Sequence, residues 1–461
     1  MSGPHRQRRL LLHSFFNLLG VVLPALIAIV SIPPLLDSLG PADFGLLSIQ
    51  LGVLVLVGVN DFGVSRAVVL VAIDRGGFHN VADRIAVVGA GLSLILPVSF
   101  MLLIAGIALL IGADIFADGA RAGNLVSWSL LLASSAFALP TLPLRASMEV
   151  AERFGALNLL RSMAASLLFL APLIAVQFAP TLIAATAGLL VSRIIVLVAF
   201  AGDAGTPVRQ SVKEAFADLR RDARERRLAP LQAELVRRGG WLGAAGTAST
   251  LLTYVERFAL GFVLGAAAVA NFVIAAELAT KLWLIVGAFL AAATPRIANG
   301  WSGRVGGAFR GDFMLLAVSV LLVAMAFHCA ILFGGDTILR TWLTDQYDPG
   351  MNDLLRVLSI GVTINCLSQV NYQLLVISGR ERVAAYLSMF WLVPSVVVSL
   401  AAAHTFGPPG VAWTFALRQL ADVFVVKFLV ARSGEPGLQG GLPYSLAVAW
   451  TAVVIGLYAV S

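Results

Sequence analysis

Residues 241–295 read WLGAAGTASTLLTYVERFALGFVLGAAAVANFVIAAELATKLWLIVGAFLAAATP. The stretch describes two long apolar helices joined by a short turn at Gly265-Ala266-Ala267-Ala268. Each helix carries charge where a membrane helix should carry none: Glu256 and Arg257 in the first, Glu277 and Lys281 in the second. A charged side chain at the centre of a bilayer costs about 2.5–3.5 kcal/mol on insertion scales. Two neighbouring helices that both bear this cost argue for an internal polar cavity or for charge pairs between helices. Glu277 and Lys281 are four residues apart, so they share a face, acid before base in the favourable order. Counted from the turn, Glu256 and Arg257 lie about as deep as Glu277. This layer is expected to face the bundle interior and to meet a charged substrate.

The rest of the chain has the same character. Of its 461 residues, 59% are hydrophobic and 12% are charged, against about 25% charged in soluble proteins. That balance belongs to a polytopic membrane protein, with about 20 apolar residues to a span. The net charge of +7 then reflects basic cytoplasmic loops rather than a nucleic-acid partner. The only cysteines are Cys329 and Cys366, so neither a disulfide framework nor a cysteine metal site is expected. No cleavable signal peptide is expected either. The first apolar run, 10–36, is too long and lacks a small-residue cleavage site.

Apolar runs predict spans at 10–36, from the turn after 43 to about 71, and at 85–111, 125–144, 162–178 and 181–200. They resume at about 241–264, 268–295, 313–333, 354–378, 383–403 and 410–431, and 442–460 is a candidate thirteenth. The domains follow: an N-lobe at 1–201, a basic linker at 202–240, a C-lobe at 241–431 and the extra run within 432–461. The linker holds nine basic residues. In it Val212, Phe216, Leu219 and Ala223 predict an amphipathic helix on the inner leaflet, broken at Pro230. Basic residues crowd the predicted inner loops, including 145–161, while the outer loops hold Arg121, Arg340 and Arg356. This asymmetry places the N-terminus in the cytoplasm. Six spans, a linker and six spans imply a duplicated, all-α architecture of two six-helix lobes around a central cavity. An even number of spans per repeat makes the repeats parallel. Leu39-Gly40 and Leu264-Gly265 end the first span of each half as counterparts.

Motifs for covalent chemistry are absent. No Gly-Lys-Ser/Thr phosphate loop, His-Glu-x-x-His or paired-cysteine motif occurs, so neither catalysis nor a metal or cofactor is expected. Asp61-Phe62-Gly63 matches a kinase tripeptide by coincidence inside an apolar helix. Asn365, Ser368, Gln369 and Tyr372 line one helix face, as do Thr414, Arg418 and Asp422, and Asp61 with Ser65. The plainer reading is hydrogen bonding between helices, about 0.6 kcal/mol each. Cations are harder to hide, so Arg257, Lys281 and Arg418 equally suit an anionic ligand. Arg66, Arg145 and Arg296 sit near predicted span ends, where snorkelling to the interface accounts for them. His328 is expected as a hydrogen-bonded core residue.

Four stretches carry a family resemblance. They are Asn17 with Leu39-Gly40-Pro41-Ala42-Asp43-Phe44-Gly45 and Asp61-Phe62-Gly63; Tyr254-Val255-Glu256-Arg257-Phe258-Ala259-Leu260-Gly261; Thr294-Pro295-Arg296; and Ser378-Gly379-Arg380-Glu381-Arg382. In this order and spacing the chain resembles the polysaccharide-transporter and O-antigen flippase branch of the multidrug/oligosaccharidyl-lipid/polysaccharide (MOP) exporter superfamily. Members commonly have twelve or fourteen spans, so the run at 442–460 is a departure. The resemblance implies a non-enzymatic flippase of the bacterial inner membrane, moving an undecaprenyl-pyrophosphate-linked oligosaccharide by alternating access. Arg257, Lys281 and Arg418 would meet the pyrophosphate, and Asn365, Gln369 and Tyr372 the glycan. Asp61, Glu256, Glu277 and Asp422 would pair with the cations or carry a coupling H+ or Na+. Partners would be the lipid-linked substrate and membrane lipid, with a glycan polymerase and glycosyltransferases as neighbours, and no nucleic acid. The alternatives are a cation-coupled multidrug exporter of the same superfamily and a non-transporting membrane subunit of a glycan assembly complex.

Overall fold

The computed structural model describes residues 4–58, 63–74, 81–116, 119–203, 206–221, 227–302 and 307–431. Among these the chain is almost wholly helical and contains no strand. That follows from its setting. A bilayer core offers no water to backbone N–H and C=O groups, and a helix satisfies all of them within one segment. The outward faces agree. Phe100, Met101, Ile104, Ile107 and Ile111 on one helix lie exposed, an apolar surface that water would penalise and acyl chains accept.

Two compact units divide the chain, Met1–Tyr254 and Val255–Ser461. Unit 1 contains α1 (Pro4–Gly58), α2 (Val64–Asp74), α3 (Val81–Phe116), α4 (Gly119–Ala138), α5 (Thr141–Val150), α6 (Phe154–Val176), α7 (Leu182–Asp203), α8 (Thr206–Leu219) and the first part of α9 (Ala229–Leu264). Its core joins Val88 and Leu92 of α3, Leu144 and Met148 of α5, Leu157 of α6, and Val196 and Phe200 of α7 to Val208 and Ala215 of α8. Unit 2 contains the rest of α9, then α10 (Ala266–Thr280), α11 (Leu282–Ser302), α12 (Gly307–Leu343), α13 (Pro349–Ile377) and α14 (Glu381–Ala431).

Nine helices among the described residues are long and apolar enough to span a membrane. Two of them bend into two legs each, α1 at Gly40 and α14 at Gly407. α9, which holds Glu256 and Arg257 in its apolar run, is not among the nine. The run at 442–460 lies outside the described residues.

Gly40 (φ 73°, ψ 168°) and Gly265 (φ 85°, ψ 174°) adopt nearly the same conformation. That region is essentially closed to residues with a Cβ. The two positions matched in the sequence therefore make the same turn in each half.

Three expectations need correction. The loop predicted at 145–161 is mostly helix. α5 runs to Val150 because Leu142, Leu144, Ala146 and Met148 are buried, and α6 starts at Phe154. The amphipathic helix ends at Leu219, and its buried face is Val208, Ser211, Ala215 and Asp218. Phe216 is on the other side, 36% exposed, edge-on to Phe100. The helix therefore docks on protein through that face, a packing that the predicted stripe did not reveal. Finally, Pro230 opens α9 rather than breaking a helix; proline is tolerated in a first turn, where its missing N–H costs nothing. Asp218 accepts the N–H of Leu228 just ahead of that turn, at 3.0 Å.

Candidate functional site

The charged layer read from the sequence lies in unit 2. Glu256 and Arg257 are neighbours on α9, so their side chains diverge by about 100° around the helix. They make different pairs. Glu256 is 4% exposed and accepts a hydrogen bond from Arg418 of α14, Nη2 to Oε1, at 3.2 Å. Arg257 reaches Glu277 of α10, Nη2 to Oε1, at 2.9 Å. The other oxygen of Glu277 takes Lys281 Nζ at 2.9 Å, the pairing expected from the four-residue spacing. One carboxylate thus holds two cations.

Lys281 also marks a joint. α10 ends at Thr280 and α11 begins at Leu282. Backbone bonds there run three residues rather than four, Lys281 N to Leu278 O and Leu284 N to Lys281 O. This tighter winding inside a span is often found at functional hinges.

The polar face of α13 meets the second leg of α14. Tyr372 donates its hydroxyl to Asp422 at 2.9 Å, and Trp391 donates its indole N–H to the same oxygen at 2.9 Å. Asn365 donates to Gln419 at 2.9 Å, and Gln369 donates to Asn365 at 2.9 Å. All three candidate glycan residues are therefore engaged in side-chain hydrogen bonds. Asp422 departs from the expected pairing with a cation: it is held by two neutral donors. Arg418 takes Glu256 instead and stacks over Phe415, 5.5 Å from the ring centroid. Its Nε has no partner among the described residues. Asp61 lies outside the described residues.

Gln419 and Trp391 were missed by the sequence reading. Gln419 is three residues before Asp422, but the stripe was followed only at spacings of four. Trp391 carried a usable signal: tryptophan prefers the membrane interfaces, and one well inside a span needs an acceptor for its N–H. His328 behaves as expected, fully buried with Nδ1 2.8 Å from Ser359 Oγ. Among the described residues, no group of three or more His, Cys, Asp or Glu could hold a metal ion.

No protein-family model matches this sequence. A curated protein of Shigella flexneri named "Putative O-antigen transporter" is 26% identical over 429 residues, which cover 91% of this chain and 97% of that one. Among solved structures, an inward-facing multidrug resistance MATE family transporter of the MOP superfamily matches with a TM-score of 0.69 at 16% identity. The match covers 92% of this chain and 99% of that one. The lipid II flippase MurJ, in an inward closed conformation, matches with a TM-score of 0.67 at 13% identity, over 90% of this chain and 87% of that one. These likenesses agree with the resemblance carried by the four sequence stretches: the chain is a multi-pass membrane protein with the fold of MOP superfamily transporters, similar along nearly its whole length to a protein named "Putative O-antigen transporter".

Proposed function

We propose that this protein is a flippase that moves an undecaprenyl-pyrophosphate-linked oligosaccharide across the bacterial inner membrane by alternating access, with its N-terminus in the cytoplasm. One observation carries the reading: Arg257 and Lys281 share the single carboxylate of Glu277. One carboxylate neutralises one cation. A diphosphate arriving there meets two cations on one carboxylate and guanidinium donors suited to its oxygens. Arg418 exchanges Glu256 for the same ligand. The amides of Asn365 and Gln369 and the hydroxyl of Tyr372 can trade partners within their network for sugar hydroxyls, at modest net cost. Glu256, Glu277 and Asp422 then hold the charge balance when substrate is absent, or carry a coupling H+ or Na+. Glycosyltransferases and a glycan polymerase would supply and consume such a substrate.

The test is the phenotype of Arg257→Ala and Lys281→Ala in the native host. Both variants should lose surface glycan and accumulate lipid-linked units inside the cell. Unchanged surface glycan with altered drug tolerance would identify a cation-coupled exporter. A change in neither would favour a non-transporting subunit of a glycan assembly complex.

A further inference from the structure

α8 docks on unit 1 through one face and leaves the opposite one exposed. Val208, Ser211, Ala215 and Asp218 are buried. The helix crosses α3 near Gly89, where the carbonyl of Ser211 lies 3.3 Å from the place a Cβ would take. On the other side Arg209, Lys213, Phe216 and Arg220 are exposed. Spacings of four, three and four keep these side chains within about 60° of one another around the helix. Arg220 shares the same winding, since its N–H donates to the carbonyl of Phe216 at 3.2 Å. Glu214, the exposed acid of α8, lies about 100° around from Lys213 and further from the other three. The exposed face is therefore cationic, with one aromatic ring in its middle.

Phe216 shows what this face meets. Its ring packs edge-on to Phe100 of α3, with centroids 6.4 Å apart. Phe100 opens the exposed apolar row that continues through Met101, Ile104, Ile107 and Ile111, a surface that acyl chains accept. It stands eleven residues beyond Gly89, roughly 16 Å along α3. Phe216 thus reaches from the crossing point toward the acyl level, and the cations beside it stand where apolar surface gives way to water. Basic residues around an apolar anchor are the composition of a helix held in the interface of an anionic membrane. Arg and Lys can lay their stems on apolar surface and keep their charge at headgroup level, where water still reaches.

We propose that Arg209, Lys213, Phe216 and Arg220 form a binding face for anionic phospholipid headgroups, with Phe216 set among the first acyl methylenes. The occupant is lipid rather than an acidic soluble protein, because Phe216 continues the acyl-facing row of α3. Bound lipid would moor α8 to one leaflet, and with it the start of α9, since Asp218 of α8 holds the N–H of Leu228 just ahead of that helix. The face stands independently of the flippase reading. Only the naming of the leaflet, the inner one, follows from the orientation proposed above.

Quenching by brominated lipid tests it on the full-length protein. Ala217 is exposed and flanks the face. Ala217→Cys is labelled with bimane in a Cys329→Ala background, Cys366 being buried, and the protein is placed in phosphatidylcholine vesicles. Phosphatidylglycerol or phosphatidylcholine, brominated on the acyl chains, is included as the same minor component. Brominated phosphatidylglycerol should quench severalfold more strongly, and high salt should remove most of the difference. Arg209→Gln/Lys213→Gln/Arg220→Gln should bring the two lipids close to parity. Phe216→Ser should lessen quenching by both. Lys213→Glu alone should lower the preference at least twofold, so the result does not depend on the triple variant. Equal quenching by the two lipids, or a preference indifferent to salt and to these substitutions, overturns the proposal. So does quenching by neither lipid, which would leave this face to water or to a protein partner. No glycan enters the measurement, so failure of the flippase reading would leave its outcome unchanged.

Discussion

Glu277 gives one oxygen to Arg257 on α9 and the other to Lys281, one turn along its own span. All three side chains are less than one-fifth exposed, so solvent screens them little. Removing one partner of a buried ion pair costs about 3–5 kcal/mol, because the charge left behind has no compensation. Glu277→Gln leaves two cations facing an amide. Arg257→Gln leaves Glu277 still paired with Lys281 and loses a charged hydrogen bond, about 2 kcal/mol. Glu277→Gln should therefore melt at the lower temperature in detergent; the opposite order would show that Glu277 does not hold both. Asp422 offers a second test. Tyr372→Phe removes one of its two donors and should cost about 1.5–3 kcal/mol. In an Asp422→Asn background the same substitution should cost less than half as much, and an equal cost in both backgrounds would separate Tyr372 from Asp422. The residues of this cluster were legible because charge inside an apolar run is costly and therefore conspicuous. Their exact partners were less so. The sequence located Arg418 and Asp422 four apart on one face and suggested that both join a charge network. Only packing reveals that Arg418 turns to Glu256 while Asp422 turns to Tyr372 and Trp391.

At the scale of elements, apolar length made the long helices legible, and their internal irregularities less so. The connections that read as turns at Gly40 and Gly407 do leave the helical region, and each divides its helix into two legs. The tight winding at Lys281 had no signature in residue type, since no proline or glycine occupies that position. Amphipathicity identified α8 but not its buried side. Val212 packs only partly against the core, whereas the polar Ser211 and Asp218 are buried, Asp218 because it caps the start of α9. The glycine turns were the clearest element-level signal. No atom lies within 4 Å of a Cβ built on Gly40 or Gly265, so sterics with neighbours play no part. Only backbone conformation opposes Gly265→Ala, at about 1–3 kcal/mol. Gly40→Ala should cost the same amount within error. A neutral result at either position, measured by thermal unfolding, would mean that the turn relaxes and is not a shared structural device of the two halves.

For the whole molecule, composition settles the class and charge asymmetry predicts the orientation. Basic residues concentrate in the stretch between α7 and α9, and Asp336, Asp345, Asp348 and Asp353 gather between the apolar parts of α12 and α13. Lys and Arg are retained on the cytoplasmic side during insertion, so the first stretch should face the cytoplasm and the second the outside. With only two native cysteines, Cys366 buried and Cys329 partly so, the question suits thiol labelling in a Cys329→Ala background. Lys213→Cys on α8 and Asp345→Cys after α12 both replace solvent-exposed side chains. A membrane-impermeant maleimide applied to intact spheroplasts should label Asp345→Cys within minutes and leave Lys213→Cys unlabelled until lysis. The same orientation governs transport. The proposed flippase would take a lipid-linked glycan at the cytoplasmic face, the side on which this labelling would place α8. Labelling of Lys213→Cys in intact spheroplasts would invert the molecule, and with it the direction of the proposed transport.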